Sequence, residues 1–321
     1  MASTLNPSVS NRIALAQKYV PVLDEVYKAE SKTAIFDTPE DLVKFIGART
    51  VQLFNTSTVG LGNYSRNAGY KLGDVATGWE NYAISVDRGR SMFLDVMDNE
   101  EALGMPMATT LSEFERVHVV PEVDAYRIAK YASYVKSGAK TAATDPAGVG
   151  VNIASQIDAG MAYMDELEVP HEGRIALISG AAYENLKANV TRYTLNRERD
   201  FNNNLEYYND LVLIKVPQSR MGTTCTLNDA PNSDDMGGFT LSGNNINFLI
   251  IDPRAVMQVV KHLAPKVFAP SVVQDGDGWK INYRIYHDAW VKAQKLDGLY
   301  MGLGSTVAGV PRHGFTDDTQ L

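Results

Sequence analysis

Residues 81–97 read Asn81-Tyr82-Ala83-Ile84-Ser85-Val86-Asp87-Arg88-Gly89-Arg90-Ser91-Met92-Phe93-Leu94-Asp95-Val96-Met97. Tyr82, Ile84, Val86, Met92, Leu94 and Val96 share one parity, and Asn81, Ser85, Asp87, Ser91 and Asp95 share the other. That alternation is the mark of a strand with one apolar face. Arg88 and Arg90 interrupt the apolar parity at its middle. Upstream, Tyr64–Thr77 reads as the pairing arm, with a glycine-containing centre between the two stretches. A ribbon of about 14 residues per arm would reach roughly 45 Å. Two strands alone are marginal in water, so the ribbon packs on a domain or waits for another subunit.

Charge on this segment points the same way. From Tyr64 to Glu101 there are four bases, Arg66, Lys71, Arg88 and Arg90, and seven acids, Asp74, Glu80, Asp87, Asp95, Asp98, Glu100 and Glu101. Mixed charge on a projecting ribbon suits docking between subunits better than acid–base catalysis. The candidate intersubunit contacts are Arg66, Lys71, Glu80, Asp87, Arg88, Arg90, Asp95, Glu100 and Glu101.

Downstream, Thr109–Lys136 keeps helical spacing through Leu111, Phe114, Val117, Ala125, Ile128, Ala132 and Val135. Pro121 falls inside it, where a proline bends a helix. A second helix carries Val151, Ala154, Ile157, Met161, Met164 and Leu167, a stripe that reads as core or interface filling. From Val169 strands and helices alternate: Arg174–Ile178, the helix Gly180–Asn189, Leu211–Val216, Phe248–Ile251 and a helix Arg254–His262. This predicts an α/β unit. Trp279–Tyr286 and Ala289–Gln294 read as strands on either side of His287-Asp288, and Leu303–Leu321 as a loose tail. At the other end, Ser10–Tyr27 has helical spacing broken at Pro21. It reads as an arm needing another subunit's surface, or as an ordinary first helix on its own domain. Pro39–Ile46 reads as a short helix and Thr50–Phe54 as a strand.

Composition narrows the function classes. The 321 residues are 45% hydrophobic and 21% charged, with a formal net charge of −8. This is a folded chain and a poor dedicated nucleic-acid binder, since such affinity comes from neutralising phosphates. The single Cys225, placed in a polar loop, excludes an intrachain disulfide and a cysteine-based metal site. The five histidines form no HxH, HxxxH or HExxH pattern, so no metal is expected. There is no GxSxG elbow and no GxxxxGK[ST] loop, and Gly60-Leu61-Gly62 and Gly148-Val149-Gly150 lack the context of a dinucleotide fingerprint. No cofactor is expected. Residues 1–7 lack the basic and apolar regions of a signal peptide, which predicts synthesis in the cytoplasm, with no membrane partner.

The order of segments resembles that of tailed-phage major capsid proteins with the HK97-type fold, in particular those of phages of Gram-positive bacteria. The resemblance is carried by Gly62-Asn63-Tyr64-Ser65-Arg66-Asn67-Ala68-Gly69-Tyr70, by Asp87-Arg88-Gly89-Arg90-Ser91-Met92-Phe93, by Asp95-Val96-Met97-Asp98-Asn99-Glu100-Glu101 and by Val119-Val120-Pro121-Glu122-Val123-Asp124-Ala125-Tyr126. It spans Asn11 to about Met301 and is strongest from Gly60 to Lys136. It implies an α+β fold with an N-terminal arm and the start of a P-domain (1–59), an E-loop ribbon (60–104), a P-domain spine helix (105–146), an A-domain (147–263), returning P-domain strands (264–302) and a tail (303–321). It further implies a non-enzymatic shell subunit of the virion, forming pentamers and hexamers and then an icosahedral capsid around double-stranded DNA, with portal and scaffolding proteins as further partners. An encapsulin-like compartment protein shares this fold, and a soluble α/β enzyme is the alternative from another class.

Overall fold

The computed structural model describes residues 30–39, 44–46, 50–67, 69–95, 107–141, 152–193, 206–230, 237–273, 276–306 and 311–312. The N-terminal stretch Ser10–Tyr27, Val151, Gly148–Gly150, Asp98, Glu100 and Glu101 lie outside the described residues.

The chain opens with β1 (Lys44–Ile46), β2 (Thr50–Thr58), β3 (Val75–Ala83) and β4 (Val86–Asp95). β1 and β3 flank β2 in an antiparallel sheet. Lys44–Ile46 is therefore a strand and not the end of a helix from Pro39. The ribbon is also displaced from its expected place. Its arms are β2 and β3, in register from Thr50↔Ala83 to Thr58↔Val75, and residues 59–74 form its end. β4 does not pair with Tyr64–Thr77. It leaves the ribbon at Ile84-Ser85 and joins the returning strand β11, described below. The unbroken parity from Tyr82 to Leu94 conceals this change of sheet, because both strands keep one apolar face.

Next comes one helical rod in three parts: α1 (Met107–Phe114), a π turn (Glu115–Val119) and α2 (Val120–Tyr134). Pro121 has no N–H to donate and its ring crowds the carbonyl four residues back. The π turn, with the Val120 N–H bonded to the Glu115 carbonyl, supplies the extra residue that absorbs this misfit. Pro121 then occupies the first turn of α2, where a missing N–H costs nothing.

The remaining elements are α3 (Ile153–Glu166), β5 (Ile175–Ser179), α4 (Gly180–Tyr193), β6 (Tyr207–Tyr208), β7 (Leu211–Val216), β8 (Gly222–Leu227), β9 (Phe239–Ile251), β10 (Val256–Phe268), β11 (Gly278–Val291), β12 (Leu299–Thr306) and β13 (Pro311–Arg312). One sheet runs β12-β9-β5-β7-β6, with β8 and β13 also on β9. β5 and β7 are parallel, linked through α4 as the alternation predicts. Ile157, Met161 and Met164 of α3 are buried against this sheet with Phe248, Ile250 and Tyr300. Arg174, fully buried, ties the end of α3 to β5: it donates to the Val169 and Pro170 carbonyls and to Asp165.

The other sheet, β10-β11-β4, packs on the rod. Ile281, Tyr283 and Ile285 of β11 are buried with Leu111, Val119, Val120 and Val123. Three expectations change here. Arg254–His262 is not a helix: Val256 begins β10, whose β-branched residues suit a pleated surface. The two strands around His287-Asp288 are one strand, β11, with both residues buried inside it. Leu303–Thr306 and Pro311–Arg312 are strand, not loose tail. Cys225 also lies in a strand, packed on Ala125, Phe239 and Leu241. Burial pushes its thiol up to about 12, so it is a packing residue.

Candidate functional site

Three joints on the rod decide which parts of the molecule are fixed and which project. The first holds residues 31–38. Asp124 of α2 is fully buried and accepts hydrogen bonds from the Ser31 and Thr33 hydroxyls (both 2.7 Å) and the Lys32 backbone (3.0 Å). It also pairs with Arg220, which follows β7, at 3.0 Å. One turn on, the buried Arg127 reaches Thr33 and Asp37, both at 3.1 Å. Gln258 of β10 donates to Asp37 at 2.9 Å and accepts from Tyr131 at 2.7 Å. Buried charges persist only when paired and hydrogen-bonded, and here the bonds from Ser31, Lys32, Thr33 and Asp37 fasten the segment that follows the N-terminal stretch. Burial outweighs Arg127 and holds the Asp37 carboxyl above the usual carboxylate range.

The second joint is the ribbon root. Asp288 of β11 accepts from the Ser85 N–H (2.8 Å), the Ser85 hydroxyl (2.7 Å) and the Tyr126 hydroxyl (3.2 Å). Tyr126 also stands edge-on to His287, with centroids 5.3 Å apart. Burial is the first cause that pushes its phenol up to about 12. Val51, Ile84, Met257, Val259, Tyr286 and Trp290 close an apolar cluster beside it.

The third joint is Arg88. Its guanidinium lies against Glu122 of α2 at 2.8 and 3.1 Å and donates to the Asn228 and Gly238 carbonyls at 2.8 and 3.3 Å. It sits at the edge of a cleft of about 710 Å³ between β4, the π turn, residues 217–230 and residues 237–239. Met92, Phe114, Val117, Tyr283 and Ile285 give the cleft an apolar wall, and Arg90, Glu122, Asp229 and Arg220 line its polar side.

The ribbon beyond its root is uncovered. Leu61 and Leu72 are fully exposed, and Tyr64, Tyr70, Val59, Val75 and Trp79 are exposed. The end turns tightly at Ser65–Gly69, where each backbone bonds the other and Gly69 takes φ 73°, a value that favours glycine. The Tyr64 and Tyr70 rings meet across the turn, tilted 58° to each other with centroids 5.0 Å apart.

The charged candidates thus separate. Arg66 and Lys71 are exposed at the ribbon's end. Glu80 accepts from Tyr82 on the ribbon's shaft. Asp87 pairs with Arg284 within the chain at 2.6 and 2.8 Å, and Arg88 with Glu122. Arg90 faces the cleft, and Asp95 ends β4 opposite Gly278. The expected ribbon of Tyr64–Thr77 with residues 81–97 is corrected: Val86–Asp95 is paired into the rod's own sheet. Charge counting missed the apolar side chains at the ribbon's end. The signal was present, as Leu61, Tyr64, Tyr70 and Leu72 lie in a glycine-rich stretch with no core beside them. Among the described residues no group of three or more His, Cys, Asp or Glu is placed to hold a metal ion. No helix among them is long and apolar enough to cross a membrane.

Neither a protein-family model nor a curated protein sequence matches the chain. Solved structures do. The capsid structure of cyanophage P-SCSP1u aligns over 82% of this chain and 86% of that one, at 13% identity and TM-score 0.58. This is the fold of tailed-phage capsid proteins. The mature capsid of bacteriophage PhiM1 aligns over 81% and 83%, at 10% identity and TM-score 0.57. A chain of Mycobacterium phage Che8 aligns over 84% and 89%, at 11% identity and TM-score 0.56. Chains from Microbacterium and Gordonia phages align as well, so hosts among Gram-positive bacteria recur. The α+β, HK97-type architecture expected from the order of segments is the architecture found.

Proposed function

We propose that this chain is a non-enzymatic capsid subunit of a tailed phage, building the icosahedral shell through pentamers and hexamers around double-stranded DNA. Portal and scaffolding proteins are the further partners this reading implies. One observation carries it: a β-ribbon whose root is bolted to the rod through Asp288 and whose end exposes Leu61, Tyr64, Tyr70 and Leu72. Exposed apolar surface gathered on a projecting element marks a protein interaction site, and the fold shared with phage capsid chains says what kind. The segment 31–38, clamped to α2 and β10, gives residues 1–29 a fixed point of departure. In this reading they are the arm and residues 59–74 the E-loop end.

Sedimentation and electron microscopy of the purified protein test the proposal. Closed shells, tubes or capsomers are expected, and Leu61→Asp with Leu72→Asp should leave a folded subunit that forms none. A wild-type protein that stays a uniform monomer across salt and concentration refutes it.

A further inference from the structure

β13 carries the chain to the cleft beside the π turn. Pro311 and Arg312 pair with Thr240 and Phe239 on the edge of β9, and Phe239 also lines the cleft. Neighbouring strands lie about 4.8 Å apart, so Arg312 stands one strand's width from the cleft wall. The ladder stops at this pair. Gly238 and Gly237, next on the wall, take φ 77° and 68°, outside the extended region. The point from which residues 313–321 continue, themselves outside the described residues, is therefore the rim of the cleft. Two walls of the cleft are fixed to each other by Arg88, which joins β4 to Glu122 of α2 and to the Asn228 and Gly238 carbonyls. The apolar wall is partly aromatic: Phe114 and Tyr283 meet edge to face, with centroids 5.7 Å apart. Met92, Phe114 and Val117 are only partly buried, although they stand against the core of the rod's sheet. A preformed cleft of about 710 Å³ is in the size range of sites that take a few side chains.

We propose that residues 313–321 of the same chain fill this cleft, with Phe315 on its apolar wall and Asp317 and Asp318 on its arginines. The segment reads His313-Gly314-Phe315-Thr316-Asp317-Asp318-Thr319-Gln320-Leu321. Its reach suffices. An extended chain spans about 3.3 Å per residue, so Phe315 can lie up to roughly 10 Å beyond Arg312. The Phe315 ring adds a third aromatic to Phe114 and Tyr283, a pairing worth more than its buried area alone. Charge agrees: the cleft is lined by Arg88, Arg90 and Arg220 against Glu122 and Asp229, while the segment has two aspartates and no lysine or arginine. Proximity favours the chain's own segment over that of a second copy, because so short a tether gives an effective concentration on the order of 1 mM. Bound this way, the segment ties the edge of β9 to the rod and braces the π turn. The contact lies within one subunit, so it holds whatever that subunit builds.

Disulfides within the full chain test the contact, in a Cys225→Ala background. Thr316→Cys or Thr319→Cys leaves Phe315, Asp317 and Asp318 in place and is combined with Val117→Cys or Ser219→Cys in the cleft. The control pairs the same two positions with Ser133→Cys, exposed near the far end of α2. Disulfides need Cα atoms within about 7 Å. Under mild oxidation at least one cleft pair should close within single chains, at a rate unchanged by dilution and at least about tenfold above the control pairs. Disulfides between chains that fade on dilution would place a second copy's segment in the cleft. No cleft disulfide at all, or a control that closes as fast, would give the cleft to another occupant. Each of these results overturns the assignment. A second arm needs no cysteine. Phe315→Asp should keep the circular dichroism of the wild type and speed amide exchange in residues 114–123 and 237–239 by about fivefold or more. Exchange there equal to that of the wild type also overturns the assignment. A wild type that never assembles defeats the shell reading and leaves both arms of this test readable.

Discussion

Asp288 and Ser85, 203 positions apart, are joined by two hydrogen bonds to one carboxylate oxygen, from the Ser85 amide and from its hydroxyl. Ser85 is where the chain passes from the ribbon's sheet to the rod's sheet. A backbone N–H that leaves one ladder before entering another needs an acceptor, and Asp288 provides it.

Removing that acceptor should therefore loosen the ribbon at its root. Asp288→Ala strands the Ser85 amide and the Tyr126 hydroxyl, a cost of about 2–3 kcal/mol. Asp288→Asn keeps a carbonyl oxygen and should lose less. Denaturant unfolding gives the order, and hydrogen exchange at the Ser85 amide should accelerate in the alanine variant. Equal stability of wild type and Asp288→Ala would mean that the apolar cluster alone holds the root.

Asp37 makes the arm's clamp sensitive to acid in a defined direction. Its folded carboxyl titrates above its ordinary value of 3.8, with desolvation the leading cause and Arg127, Gln258 and Asp124 the groups that face it. Between 3.8 and the raised folded value, the native state holds more protons than the unfolded one. Stability then falls as pH rises through that window. The stability of wild type minus that of Asp37→Asn should accordingly decrease from about pH 3 to pH 7, as measured by urea unfolding. A difference that grows with pH would show that Arg127 dominates the site and that burial does not.

Pro121 is matched to the π turn before it. Pro121→Ala restores an N–H where the first turn of α2 does not need one, so the change in unfolding free energy should stay within about 1 kcal/mol. The rod, freed of the ring, can revert to regular α-helix, and that would move α1 against α2. Particle diameters by electron microscopy should broaden or shift. Particles of unchanged size and yield would remove the turn from the assembly mechanism.

Much of this architecture was legible in the sequence, for physical reasons that also explain the misreadings. Ile157, Met161 and Met164 announce α3 because one face meets a core. Ile175–Ile178 is legible as a buried strand because it is apolar without interruption. Arg254–His262 misled because Val256, Val259 and Val260 satisfy a helical spacing by chance while their branching favours a strand. The ribbon misled for another reason. Period two records which face is apolar, not which strand lies alongside, and from Tyr82 to Leu94 two different sheets use the same parity. The long-range joints were the least visible. Asp124 and Asp288 look like surface carboxylates until residues about ninety and two hundred positions away arrive beside them.

Arg88 and Arg66, alike in the sequence as two bases of the same mixed-charge stretch, should behave as opposites. Arg88 is mostly buried; its side chain holds Glu122 at 2.8 Å and two backbone carbonyls, with Cys225 packed nearby. Arg88→Glu would set two carboxylates face to face and leave the Asn228 and Gly238 carbonyls without their donor. Breaking such a partly buried pair costs about 3 kcal/mol or more, so a lowered melting temperature and loss of soluble protein are expected. Arg66 sits exposed on the turn at the ribbon's end, where a charge change alters the folded monomer by no more than about 0.5 kcal/mol. Arg66→Glu should melt like the wild type and fail, or slow markedly, in assembly, because the proposed shell gives it a partner on another copy. The double variant Arg88→Glu/Glu122→Arg tests the first half: restoring the pair with reversed sign should recover part of the lost stability. If Arg66→Glu assembles normally while Leu72→Asp does not, the ribbon's end docks by its apolar side chains alone. If Arg88→Glu is as stable as the wild type, the joint between β4, α2, Asn228 and Gly238 does not hold the cleft open, and the cleft's shape must come from the sheet beneath it.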